Sequence, residues 1–235
     1  MPTVGYAHLR DALKLNAFAP KRIAMIKPVT RITLIGECLA VPNGVAPAQG
    51  STLEHILFAL KHEGINLCIL AQALETVEAD ELLGELSRSP NGVFIRKACF
   101  LWESFTGKQL EYSVPVRGNV VALFDPKRYV TGPAIRNSRW RVDFNGLGSM
   151  RYCATVERTT ELQALLDLDI LGRAQAFMAT LPPEMMDRAI NWAYLHETRD
   201  SFAIEKEEPN EEKSRRFVRL LRQAHERTEL SEDYL

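Results

Sequence analysis

Ser51-Thr-Leu-Glu-His-Ile-Leu-Phe-Ala-Leu-Lys61 opens as a helix and keeps helical spacing to its end. Ser51 and Glu54 stand as a capping-box pair, in which the hydroxyl accepts an orphan N–H of the first turn and the carboxylate reaches back. Leu53, Ile56, Leu57 and Leu60 recur at three- and four-residue intervals, so they form one apolar stripe that must be buried. Shorter runs with the same period follow around Leu67 to Leu74, Ala79 to Ser87 and Val93 to Phe105. These runs predict a mainly α fold.

Upstream the texture differs. Residues 1–50 are rich in Pro, Gly and β-branched side chains, and Pro20, Pro28, Pro42 and Pro47 exclude a long helix. This part reads as an irregular N-terminal segment with one short strand near Arg31 to Gly36. Downstream, Tyr112 to Phe124 and Arg139 to Phe144 alternate in places, which predicts a small two- or three-stranded element. The fold class is therefore mainly α with a small β-element (α+β), and the region 51–110 has a possible winged-helix-like outline. Three regions result: the irregular segment 1–50, a helical region with the β-element over 51–150, and a helical region over 151–235.

The last region carries its own signals. Thr160-Glu-Leu-Gln163 is a second capping-box sequence, predicting a helix that ends near Leu181, before Pro182 and Pro183. Pro183 suits the first turn of the next helix, where a missing N–H costs nothing. At about 100° per residue, Met185, Ala189 and Trp192 share a stripe beside Met186, Ile190 and Ala193, which predicts burial on two sides. Asp187, Thr198, Ser201 and Glu205 fall on the remaining polar strip. Pro209 ends this helix, and Asn210 caps a final one whose Phe217, Leu220, Leu221 and Ala224 should face inward.

Composition bounds the function. The 235 residues are 46% hydrophobic and 25% charged, which places the chain among ordinary globular proteins. The 29 basic and 30 acidic residues nearly cancel, so no overall field favours nucleic acid or an anionic membrane. No apolar run is long enough to span a bilayer, and the N-terminus lacks the uninterrupted apolar core of a secretory signal. Cys38, Cys68, Cys99 and Cys153 lie far apart without metal-ligand spacing, so no metal site is expected. They read as buried free thiols, and the cytoplasm is the expected location.

The segment Ser201-Phe-Ala-Ile-Glu205 is similar to the inhibitory motif of Fic-family proteins, Ser/Thr-x-x-x-Glu-Gly/Asn. The runs Phe58-Ala-Leu-Lys-His-Glu-Gly-Ile-Asn-Leu67 and Ile95-Arg-Lys-Ala-Cys-Phe-Leu-Trp-Glu-Ser-Phe-Thr-Gly107 also look like the N-terminal regions attached to Fic domains. The resemblance spans about residues 58 to 205. It implies nucleotidyl-transfer chemistry, in which AMP passes from ATP to a hydroxyl side chain of a target protein.

That chemistry is carried in the family by His-Pro-Phe-x-Asp/Glu-Gly-Asn-Gly-Arg-x-x-Arg, with His as base, the acid on a metal and the glycine turn around phosphates. This chain has no catalytic residues of that kind. His8, His55, His62, His196 and His225 are followed by Leu, Ile, Glu, Glu and Glu, and Asn145-Gly-Leu-Gly-Ser149 has neither His nor Arg and reads as a turn. The resemblance instead implies a regulatory role for Ser201 and Glu205. A helix-borne glutamate can form a bidentate pair with a phosphate-binding guanidinium and so exclude the terminal phosphate of ATP. Ser201, one turn earlier, would anchor the register, with Phe202 and Ile204 seating the helix. Lys206 stands where the family has Gly or Asn. The implied partner is a downstream Fic catalytic domain, in the same or another chain, which would take ATP and Mg2+; no cofactor is expected in this chain. Apolar surface should then be exposed on the helices after Ser201, for want of that domain.

A different class of function is a winged-helix or helix-turn-helix binding module over residues 51–110, built from Leu70-Ala-Gln-Ala-Leu74, a turn and a helix around Leu82. Glu78, Asp80, Glu81 and Glu85 on that second helix oppose a DNA backbone, leaving protein contact as the easier role. Arg136, Arg139, Arg141 and Arg151 form a basic cluster that reads as charge protecting an edge strand. No Gly-x-Ser-x-Gly elbow supports a hydrolase. His196, beside Trp192 on the long helix, reads as a packed, hydrogen-bonded histidine.

Overall fold

The computed structural model describes residues 2–204, 206 and 211–224, and the chain forms two compact units, Met1–Thr159 and Thr160–Leu235. The break falls at a Thr-Thr pair just ahead of the second capping-box sequence, about ten residues past the boundary expected at 150.

In the first unit, residues 1–50 are built rather than irregular. Strands β1 (Thr3–Val4), β2 (Ile23–Ile26), β3 (Thr33–Ile35) and β4 (Cys38–Val41) form one sheet in the order β1-β2-β4-β3, and helix α1 (Gly5–Ala12) follows β1 directly. Strands β2 and β4 run parallel, whereas the other pairs are antiparallel. The four prolines all fall outside strands and helices, which is why they coexist with this sheet. Val4, Ala24 and Val41 pack with Phe58 in a small core of their own.

Four helices follow: α2 (Thr52–His62), α3 (Leu67–Glu75), α4 (Ala79–Arg88) and α5 (Val93–Thr106). The Ser51 hydroxyl accepts the Glu54 N–H at 3.3 Å, as the capping sequence requires, but the Glu54 carboxylate accepts from Ala48 rather than returning to Ser51. Asn66 caps α3 through Ile69, and Gly107, in the left-handed region at φ 68°, ends α5. Residues 51–110 contain no strand, so the wing of a winged helix is absent from this region.

Helix α5 is the centre of the unit and packs against α2, α3 and α4. Its Ile95, Ala98, Cys99, Leu101 and Trp102 are buried among Ile56, Ile69, Leu70, Leu74 and Leu82. Each large side chain buried in this way contributes about 1.5–3 kcal/mol. Arg96 is buried in the same helix and donates to the carbonyls of Asn119, Trp140 and Arg141, so it ties α5 to the β-element.

That element is the sheet β5 (Val121–Ala122), β7 (Val142–Phe144) and β6 (Ile135–Asn137), in the order β5-β7-β6, followed by the short hairpin β8 (Leu147–Gly148) and β9 (Cys153–Ala154). Trp140 is fully buried, and its indole N–H donates to Glu103 of α5 at 2.7 Å. Arg136 and Arg139 of the basic cluster are used in ion pairs. Arg136 on the edge strand β6 pairs with Asp143 directly across from it, and Arg139 pairs with Glu103.

The second unit comprises α6 (Thr160–Asp167), α7 (Ile170–Ala179), α8 (Pro183–Ile204) and α9 (Glu211–Ala224), with α9 packed on α8. The single helix expected over 160–181 is broken at Asp169, which is left-handed at φ 43° and whose carboxylate accepts the Gly172 N–H to cap α7. Taken together, the chain is mainly α with small β-elements, an α+β fold. No helix among the described residues is long and apolar enough to cross a membrane.

Candidate functional site

The segment that resembles the Fic motif begins in the last turn of α8. Pro183 occupies its first turn, as expected, and the helix runs 22 residues to Ile204. Ser201 lies in the last turn and is half-buried. Glu205 lies outside the described residues, as do Pro209 and Asn210. Phe202 packs edge-on against Phe217 of α9, with centroids 5.7 Å apart, and Lys213 lies 4.8 Å over its ring. Ile204, in contrast, is 83% exposed and seats nothing in this chain.

Lys206 adopts φ 59°, and its N–H donates to the Ala203 carbonyl at 3.1 Å. The backbone therefore turns into the left-handed region at the position where the family motif has Gly or Asn. Those two residue types occupy that region most readily.

Burial along α8 is inverted relative to the expected pattern. Thr198 is buried, its hydroxyl donating to the Tyr194 carbonyl at 2.6 Å, and Asn191, Tyr194 and Ser201 are half-buried on the same side. Met185, Ile190, Trp192 and Leu195 are exposed instead, Trp192 by 69%. The double burial expected for this helix thus does not occur among the described residues, because no second layer covers its apolar stripe. The same holds nearby: α6 and α7 bury no residue, and Leu171 is 78% exposed. On α9, Phe217 is half-buried and Leu220 exposed, while the side chains of Leu221 and Ala224 lie outside the described set. His196 places Nδ1 3.0 Å from Asp200 and its ring 5.4 Å from Trp192, a packed and paired histidine on an exposed face.

The glycine-rich stretch after Phe144 does not fit a nucleotide phosphate. The Asn145 carboxamide both accepts from the Phe124 N–H and donates to its carbonyl, Gly146 is packed against Cys153 and Phe144, and Leu147–Gly148 form β8 rather than a free turn. No group of three or more His, Cys, Asp and Glu side chains among the described residues is placed to hold a metal ion. Of the four thiols only Cys99 is buried, which raises its pKa to about 12; Cys68 is exposed, and Cys38 and Cys153 are half-buried. The sequence reading treated all four alike because spacing carries no information on burial.

A second candidate escaped the sequence reading. In the first unit a cleft of about 400 Å³ is lined by Tyr6, Glu63, Asn66, Arg128, Cys153 and Glu157, among others. Glu63 accepts the Tyr6 N–H at 3.0 Å, and burial pushes its carboxyl up to about 7, against the pull of that hydrogen bond and of Arg128. Arg128 itself is paired with Glu157 at 3.0 Å. The Arg128–Glu157 pair satisfies one part of this cleft, and Lys21 and Arg22 line it as well. The only sequence signal for it was a Glu-Gly pair at the end of α2, which resembles any helix stop.

Helices α3 and α4 are joined by the short turn Thr76–Glu78 and keep a helix-turn-helix outline. Asp80 and Glu81 are exposed on the first turn of α4, where a recognition helix would meet phosphates. Comparison with known proteins returns no match to any family model, curated protein or solved structure.

Proposed function

We propose that this chain is the regulatory and accessory portion of a Fic-type protein AMP-transferase, and that Glu205 inhibits a catalytic domain by holding its phosphate-binding arginine. With that guanidinium occupied by a carboxylate, the terminal phosphate of ATP loses its charge-assisted partner. Ser201, one helical turn earlier, sets the register. The chain alone carries no transfer chemistry, and ATP with Mg2+ belongs to the catalytic partner.

The observation that carries this reading is the left-handed turn at Lys206, directly after Ser201-Phe-Ala-Ile-Glu205. It offers a physical reason for the Gly or Asn of the motif: the helix must stop there so that the glutamate sits at its end. The exposed Met185 and Trp192, which share one stripe of α8, support the same reading, since they form a surface suited to covering by a further domain.

The test is to add this chain, or its Glu205→Gly variant, to a separately produced Fic catalytic domain and follow AMP transfer to protein. The wild-type chain is expected to slow transfer at least tenfold, and the variant to bind equally but leave transfer unchanged. If neither form binds or slows the domain, the reading is wrong.

A further inference from the structure

A groove in the first unit lies between α2 and α4 and continues to the start of α5. Its two lobes, about 620 and 320 Å³, share Val45, Leu57, Phe58 and Glu85. The lining is mixed, with polar side chains prevailing in the larger lobe and apolar patches open to solvent at Val45, 57% exposed, and, in the smaller lobe, Val93, 37% exposed. One wall is acidic. Glu85 is paired with Arg88 at 2.9 Å, but Asp80 and Glu81 have no ion-pair partner among the described residues. The far lobe adds Lys61 opposite the shared Glu85, so negative charge is concentrated in the larger lobe.

Gly84 stands in the middle of α4 and lines this groove. Glycine inside a helix costs about 1 kcal/mol relative to alanine. Nothing in the chain accounts for it: its φ is not positive, and a Cβ built there would meet no atom within 4 Å. A missing side chain that no contact among the described residues explains, beside the solvent-exposed Val45, is what the close approach of another backbone requires.

We infer that this groove docks a cationic amphipathic helix of another protein. Apolar side chains of that helix rest on Val45 and Val93, its Lys or Arg residues face Asp80 and Glu81, and its backbone passes over Gly84. A helix fits because a groove between two helices presents ridges that a third can enter. The concentration of negative charge at Asp80 and Glu81, with Lys61 in the far lobe, sets its direction, with the cationic end at α4. This partner site is independent of Ser201 and Glu205.

Fluorescence anisotropy tests it, with a labelled 14-residue amphipathic peptide of Leu and Lys as probe and its Leu and Glu counterpart as control. The Leu/Lys peptide is expected to bind the whole chain saturably, and the Leu/Glu peptide not to bind. Affinity should fall at least tenfold in Gly84→Trp, which keeps every charge, and in the double variant Asp80→Asn, Glu81→Gln. Gly84→Leu serves as the filling variant if circular dichroism shows that Gly84→Trp is unfolded. Equal binding by wild type and the folded filling variant would overturn the proposal, since attraction would then owe nothing to the groove. Failure of the Leu/Lys peptide to bind, or equal binding of the control, overturns it too.

Discussion

The main-chain N–H of Tyr6 donates to the Glu63 carboxylate at 3.0 Å, joining residues 57 apart in the chain. The preceding N–H, of Gly5, donates to His55 Nδ1 at 3.1 Å. Val4, at the N-cap position of α1, offers no side-chain acceptor. The first turn of α1 is therefore capped from α2, and His8 stacks on His55 with centroids 3.8 Å apart. Satisfying such orphan donors holds the N-terminal sheet and the helical core together.

Gly5→Ala should break this joint. Gly5 sits at φ 61°, and a Cβ there would collide with the Glu63 carboxylate that caps Tyr6. The left-handed penalty together with the displaced hydrogen bond predicts a loss of about 2–3 kcal/mol. Urea unfolding followed by tryptophan fluorescence measures it, and a loss below about 0.5 kcal/mol would mean that the joint is not made this way.

The two caps titrate in opposite senses. Burial raises Glu63 from 4.5 to about 7, so the folded state binds the extra proton and stability falls as pH rises from about 4.5 to about 7. Burial and the neighbouring His8 lower His55 from 6.5 to about 4, so stability falls as pH drops from about 6.5 to about 4. Between about 4.5 and 6.5 the two slopes oppose each other. Glu63→Gln keeps an acceptor for Tyr6 and removes the charge, so it should stabilise the first unit by about 1–3 kcal/mol near pH 8 and hardly at all near pH 4. An equal gain at both pH values would show that ionisation of Glu63 is not the cause.

Lys206→Gly should stabilise the end of α8. Lysine at φ 59° carries a steric cost that glycine avoids, offset in part by the greater freedom of glycine in the unfolded chain, for a net gain of about 0.5–1 kcal/mol. Thermal unfolding followed at 222 nm reads the change. If the regulatory reading holds, the same variant inhibits a Fic catalytic domain at least as strongly as wild type; a loss of inhibition with retained helix would separate the turn from the function.

Local signals were legible where the chain satisfies itself. Ser51 announces α2, Thr160 marks the start of α6 and Pro183 opens α8, because caps and breakers act within a few residues. In residues 1–50 only β3, within the strand expected near Arg31 to Gly36, was legible; the rest of the sheet was hidden because its strands are two to four residues long and gain their stability from partners elsewhere in the sequence. Asp169 was read past because a single capping aspartate inside an apolar run looks like one polar position of a longer helix. For the candidate site, Ser201 and Glu205 were visible as spacing, whereas the left-handed turn at Lys206 was not, since lysine carries no propensity for it.

What the amino-acid order determined by itself is the mainly α class, the starts of α2, α6 and α8 and the want of a His-Pro catalytic motif, all consequences of short-range backbone and side-chain chemistry. Whereas the α2 stripe of Leu53, Ile56 and Leu60 was legible in the sequence and is buried, tertiary structure alone decided which side of α8 is covered. It buried the polar Thr198 and left Trp192 in water, put a titratable carboxylate under Tyr6, and set Gly84 in an open groove. Periodicity marks the stripe that would gain from burial, but burial itself needs a second surface, and where that surface lies is a property of the folded chain and its partners.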